Sequence, residues 1–210
     1  MALSAIIEST AGKIGIWELT ESASALLHLS SLSDREKNEF SLLNNEKRKK
    51  EYLAVRLLLK CMLAGNNEII YNDAGKPFLK DLSLNISISH SDDLVVIMIS
   101  DKNTGIDAEP SKRDVKKIAA RMLTGQELAD SSGKKDENII QLLYWCAKEA
   151  AFKLVSEEKI NFKTDIKIDS FGFKKGKGEF YGRYQKNDIS VNLSFRYFFH
   201  KNNVIVYCVT

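Results

Sequence analysis

The spacing of apolar positions changes repeatedly along this 210-residue chain. "KIGIWEL", residues 13 to 19, reads as a strand, and "ESASALLHLSSLS" after it as a short helix. From Ser33 to Gly65 the apolar residues recur at helical spacing and predict one or two helices. Ser33 with Glu36 three residues on forms a capping-box pattern, and Gly65 is a plausible stop. The period then falls to two. "EIIYN", "LSLNISIS" and "LVVIMIS" predict strands joined by the turns "DAGKP" and "HSDD", and "TGIDAE" predicts another. Two helices follow, over about 112–130 and 137–156. "TDIKIDSFGF", "GEFYGRY", "DISVNLSFRYFF" and "NVIVYCVT" complete the chain as strands.

Strand, helices, strands thus occurs twice. This order predicts an α+β protein of two similar subdomains, residues 1–104 and 105–210, joined near "DKNTG". No sequence repeat underlies the similarity.

Composition narrows the function only slightly. A hydrophobic content of 44% with 28% charged residues is that of an ordinary soluble globular protein. The net charge of +3 is too mild to argue for nucleic acid. Cys61, Cys146 and Cys208 each lie in apolar sequence and read as reduced core residues, which predicts a cytoplasmic protein. "MALSAIIESTAG" lacks the basic region and apolar length of a secretory leader, and runs such as "LVVIMI" are far too short to span a membrane.

Chemistry concentrates in a few places. In "GIDAE", Asp107 and Glu109 are two apart, so a strand puts both carboxylates on one face. A hard divalent cation such as Mg²⁺ relieves the repulsion between such a pair. In "LLYWCAKEAAFK", residues 142 to 153, a helical wheel gives an apolar arc of Ile139, Leu142, Trp145, Cys146 and Ala150. Glu149 and Lys153 fall inside that arc, whereas Gln141 and Lys148 lie together opposite and read as the solvent face. An inward-facing acid needs a partner or a role, and Glu149 is the natural third carboxylate. Ser89-His90 ends a predicted strand, where the histidine is either a turn residue or a donor to phosphate or ribose. "GKP" makes Lys76 and Pro77 either an exposed turn or a rigid loop offering a cation to a nucleotide. The most basic segment is "EKRKKEYLAVRLLLK", where Arg48, Tyr52 and Arg56 share one helical face and Arg56 sits among apolar neighbours in a way that suits bidentate phosphate binding.

In this order, "GKP", "NISISHS", "GIDAE" and "WCAKEAAFK" resemble the 4'-phosphopantetheinyl transferases, specifically the long, single-chain, surfactin-synthetase-activating type. The family pattern is a G-I/V-D-x-E strand followed by W-x-x-K-E-A-x-x-K. Ala108 stands between the two acids where the family more often has a branched aliphatic residue. The resemblance implies two subdomains related by a pseudo-twofold axis, with the active site in the cleft between them. It implies transfer of 4'-phosphopantetheine from coenzyme A to a serine of an apo acyl or peptidyl carrier protein, releasing adenosine 3',5'-bisphosphate. Asp107, Glu109 and Glu149 would hold Mg²⁺, or Mn²⁺ in its place. Glu149 would take the serine proton, and Lys153 would reach the phosphate oxygens. Lys47, Arg48, Arg56, Lys76, Pro77, Ser89 and His90 would bind the coenzyme. The implied protein is a cytoplasmic monomer with no nucleic-acid or membrane partner.

Two other readings use the same residues. A polyanion- or nucleic-acid-binding module built on the "KRKK" helix would bind without Mg²⁺ and weaken steeply with salt. A Mg²⁺-dependent phosphohydrolase using the three acids would release phosphate without a carrier protein.

Overall fold

A strand that is apolar at successive positions must be covered on both faces, and "LVVIMI" is such a run. The computed structural model describes residues 2–65, 67–157 and 159–210. In chain order these form β1 (Leu3–Ser9), β2 (Gly12–Glu18), α1 (Ala23–Leu29), α2 (Asp34–Ser41), α3 (Glu46–Met62), β3 (Ile69–Tyr71), β4 (Pro77–Leu79), β5 (Asn85–His90) and β6 (Leu94–Ser100). Then follow β7 (Thr104–Pro110), α4 (Lys116–Met122), α5 (Gly125–Ser131), α6 (Glu137–Val155), β8 (Ile166–Ile168), β9 (Lys177–Lys186), β10 (Ile189–His200) and β11 (Asn203–Val209). The strands make two antiparallel sheets, ordered β1-β2-β6-β5-β4-β3 and β7-β11-β10-β9-β8.

Side-chain alternation on β6 explains the layering. Val95, Ile97 and Ile99 pack with Trp17, Leu26, Leu53 and Leu58 under α1 and α3. Leu94, Val96 and Met98 point the other way and meet Ile106, Ala108, Ile205 and Tyr207 of the second sheet. The second sheet's far face, with Val204, Val206, Cys208 and Phe195, packs beneath α6. The chain is therefore α+β in four layers, helix, sheet, sheet, helix, with three apolar interfaces.

Several boundaries differ from the sequence reading. β1 was not anticipated. It is an edge strand whose side chains are mostly exposed, so it carries little alternation. The helix expected over 112–130 is two, separated where Thr124 and Glu127 make a capping box that starts α5. The capping box at Ser33 and Glu36 is present and begins α2. α3 starts separately at its own N-cap, Asn45, and ends before Gly65 is reached. Cys146 and Cys208 are buried, but Cys61 is exposed, contrary to its apolar surroundings in sequence. Among the described residues, no helix is long and apolar enough to cross a membrane.

Candidate active site

The site begins with a glycine. Gly105 opens β7 directly beneath α6, and a Cβ there would lie 1.9 Å from the carbonyl oxygen of Ala150. Only glycine lets the helix backbone settle this close to the strand. Glu149 and Lys153 lie together on one side of Ala150 on the helix, and the close approach brings Lys153 onto Asp107, with Glu149 near enough to feel its charge. The Lys153 ammonium donates to Asp107 Oδ1 at 2.8 Å, to the Ile106 carbonyl at 3.0 Å and to Ser89 Oγ at 3.0 Å. Ser89 in turn donates to Asp107 Oδ1 at 3.0 Å and accepts the Ala108 N–H at 3.3 Å. Glu109 is held by Arg113, one helical turn's worth of chain further on, at 2.5 Å.

The electrostatics are those of crowded carboxylates. Burial, and then the charge of Asp107, push Glu149 up to about 7. Burial also raises Glu109, with Arg113 opposing and Asp107 adding to the rise. The buried Cys146 thiol is pushed well up by burial first, then by the charges of Asp107 and Glu109 and a hydrogen bond to Asp107, and so stays neutral. Among the described residues, Asp107 Oδ2 is buried with no hydrogen-bond partner. A buried carboxylate oxygen left bare is costly unless a cation takes it.

This donor set suits a hard, oxygen-preferring divalent cation: one bare buried oxygen, a second carboxylate held by a half-exposed arginine, and a third whose ionisation its neighbours resist. Among the described residues, no three His, Cys, Asp or Glu side chains stand close enough together to hold a metal ion. Lys153 and Arg113 occupy that role as counter-charges to Asp107 and Glu109.

Two cavities adjoin these groups. One, of about 250 Å³, is lined by Tyr71, Lys76, Pro77, His90, Phe152 and Lys153, among others. The other, of about 930 Å³, is bounded by Lys47, Arg48, His90, Glu109, Lys112 and Arg113, among others. His90 borders both. Burial pushes its pKa down, against the pull of Glu51, whose carboxylate lies 3.9 Å from Nδ1. Lys76 is also lowered by burial and donates to the Leu154 carbonyl at 3.1 Å. Lys47 pairs with Asp92, and Arg48 with the buried Glu51.

Three expectations need correction. Arg56 is not brought to the site. Its buried guanidinium pairs with Glu36 at 3.1 Å and Glu39 at 3.5 Å and stacks on Tyr52, because the basic stripe of α3 packs against α2. Ser89 is not a free donor for a coenzyme, since its hydroxyl is already shared among Asp107, Ala108 and Lys153. Lys148 does not face solvent; its exposure is 0%, and Gln141 is buried with it. The Lys148 ammonium meets the Phe162 and Ile166 carbonyls at 2.7 and 2.6 Å and Glu127 at 3.0 Å. The side of α6 away from the sheet is covered by α5 and the chain running into β8, so it has no wet face there.

Sequence reasoning missed Arg113, Glu51 and Phe152. Arg113 follows Pro110 and reads as loop, and Glu51 sits in the charge run of α3. Phe152 gives no chemical signal, although it lines the smaller cavity and stacks on Phe162 with ring centroids 5.3 Å apart.

Comparison with known proteins agrees with this geometry. The family model of the 4'-phosphopantetheinyl transferase superfamily matches residues 103–208, which include β7, α6 and every residue of the carboxylate cluster. The 4'-phosphopantetheinyl transferase gsp of Aneurinibacillus migulanus is 27% identical over 147 residues, covering 67% of this chain and 60% of that protein.

Proposed function

Since the chain belongs to the 4'-phosphopantetheinyl transferase superfamily, we propose that it transfers 4'-phosphopantetheine from coenzyme A to a serine of an apo acyl or peptidyl carrier protein, as a holo-[acyl carrier protein] synthase type of enzyme. The observation that carries this reading is the buried Oδ2 of Asp107, unpartnered among the described residues, in a cluster where burial and the Asp107 charge push Glu149 up to about 7.

Asp107, Glu109 and Glu149 are the residues that would hold Mg²⁺, or Mn²⁺. A divalent cation there supplies neutralisation of the pyrophosphate charge and of the leaving phosphate. The remaining work falls to the chain. The serine oxygen forms a bond to the phosphorus bearing pantetheine, and the bond from that phosphorus to the bridging oxygen breaks. Adenosine 3',5'-bisphosphate leaves with that electron pair. The serine proton passes to the Glu149 carboxylate, directly or through water. Lys153, partly exposed and lining the smaller cavity, supplies positive charge to the transferring phosphoryl. Lys76, Pro77 and His90 border that cavity, and Lys47, Arg48 and His90 the larger one, which supports a coenzyme lying between residues 1–104 and residues 105–210. The carrier would belong to fatty-acid, polyketide or nonribosomal-peptide synthesis, and the enzyme would act as a cytoplasmic monomer.

The test is mass spectrometry of apo-carrier proteins incubated with the chain, coenzyme A and Mg²⁺. A mass gain of one phosphopantetheine that excess chelator abolishes supports the reading. Phosphate release with no labelled carrier would show a phosphohydrolase instead.

A further inference from the structure

β7 is the edge of the second sheet, paired with β11 on one side only. Its outer backbone groups are nonetheless buried, and buried N–H groups need partners. Among the described residues no strand supplies them, since β5, which packs against β7, already pairs with β6 and β4. The partners are side chains. The Ile106 N–H donates to Ser87 Oγ at 3.0 Å, and the Ala108 N–H to Ser89 Oγ at 3.3 Å. The Ile106 carbonyl between them accepts from Lys153 at 3.0 Å. Both serines are buried.

The spacing matters. Ser87 and Ser89 are two apart on β5 and project to one face, while Ile86 and Ile88 project to the other. Their two acceptors meet two N–H groups that are also two apart and that bracket Asp107. A one-residue slip of β7 would break both bonds and turn Asp107 away from α6. We infer that Ser87 and Ser89 are positioning residues, a pair of hydroxyls standing in for a missing strand and holding the acid-bearing strand in register against the first sheet. Among the described residues Ser87 makes no hydrogen bond to the acids or to Lys153; it lines the smaller cavity beside Lys153, and its link to the acid-bearing strand is the Ile106 N–H. The inference rests on the transferase reading for its catalytic consequence, but not for its structural one.

Ser87→Ala separates the two. Backbone amide exchange followed by NMR reads the strand edge directly. The Ile106 amide should exchange at least about tenfold faster in the variant, the factor for one buried hydrogen bond lost, with Val206 and Tyr207 amides in the β11 ladder unchanged. Steady-state transfer to a carrier should show kcat lower by about tenfold and a higher half-saturating Mg²⁺ concentration. Ser87→Thr, which keeps the oxygen on a strand-compatible residue, should restore both readouts. Unaltered Ile106 exchange in Ser87→Ala overturns the inference. So does a lowered melting temperature with kcat and Mg²⁺ dependence intact, which would make Ser87 merely structural. A Ser87→Thr variant as slow as Ser87→Ala while its Ile106 amide stays protected overturns it as well. If the wild-type chain labels no carrier, the functional reading falls and takes the catalytic part with it; wild-type labelling with a normal Ser87→Ala enzyme removes this inference alone.

Discussion

Replacing Lys148 by methionine keeps the length of the side chain and removes its charge from the most enclosed ion pair in the described structure. The ammonium now serves three acceptors: the Phe162 carbonyl, the Ile166 carbonyl and Glu127 Oε2. Breaking one partner of a buried pair costs about 3–5 kcal/mol, because the other charge is left uncompensated. Here the carboxylate is not left bare. Glu127 Oε2 still accepts the Thr124 N–H at 2.7 Å, and Oε1 the Ile168 N–H at 3.0 Å. The two carbonyls, however, lose their donor. We therefore expect the lower end, about 3 kcal/mol, out of a total of about 5–15 kcal/mol for a domain.

Urea unfolding at neutral pH measures this, with the slope of the transition checked for constancy so that the midpoint shift reports stability alone. A double-mutant cycle with Glu127→Gln assigns the loss to the pair. Lys148→Met should cost at least about 1 kcal/mol less when Glu127 is already neutral. A Lys148→Met loss below about 1 kcal/mol would refute the argument, since that is the range of an exposed pair. A full-sized loss with no coupling to Glu127 would move the weight to the two carbonyls. The loop carrying Phe162 also reaches the smaller cavity, since Phe162 stacks on both Trp145 and Phe152, and Phe152 lines that cavity.

Three further perturbations test other joints of the molecule. Gly105→Ala puts a Cβ into the Ala150 carbonyl, and the backbone must separate; overpacking of this kind costs about 1–3 kcal/mol, so the melting temperature should fall by about 2–12 °C and transfer should be lost, whereas an unaltered melting curve would mean that α6 does not press on β7. Lys153→Ala should lower turnover by about two to three orders of magnitude, as for one preorganised electrostatic donor, and a loss under about tenfold would show that the ammonium only clamps Asp107 and the Ile106 carbonyl. Glu18, joined to Lys201, Ser4 and His200, is held down to about 2, first by the Lys201 hydrogen bond. A depressed carboxyl contributes stability above its ordinary value near 4.5 and loses it as pH falls towards 2. Glu18→Gln should therefore cost about 1 kcal/mol at pH 7, after allowance for the exposed lysine, and the difference from wild type should vanish between about pH 4.5 and 2; a difference that persists at pH 2 would point to packing instead.

Most of the fold was legible because the elements that face two layers carry their periodicity plainly. β6, covered by helices on one side and the second sheet on the other, is apolar from Leu94 to Ile99 and could only be an interior strand. The capping box at Ser33 and Glu36 marked a helix start by local chemistry alone. β1 was hidden for the opposite reason: an edge strand with outward side chains has no face whose composition the core dictates. The second capping box, at Thr124 and Glu127, was equally visible in sequence, and it is what divides the helix expected over 112–130.

The site was legible where residues two or four apart on one element sufficed. Asp107 with Glu109, and Glu149 with Lys153, follow from strand and helix geometry before any fold is known. What a single element cannot show is which partner each charge finds on another. Arg56 among leucines suggested a phosphate ligand, yet Glu36 and Glu39 on α2 take it. Lys148 beside Gln141 suggested a wet face, yet α5 supplies Glu127 and the chain before β8 supplies two carbonyls. A helical wheel assumes one dry side, and α6 has two. The lysine tolerated on its second dry side is one whose three hydrogen-bonding positions are all met by acceptors on segments distant in sequence. The two lysines of "AKEAAFK" therefore differ not in burial or exposure of the helix but in what each was given to hold: Lys148 fixed groups with no opening beside it, and Lys153 a carboxylate at the wall of a cavity.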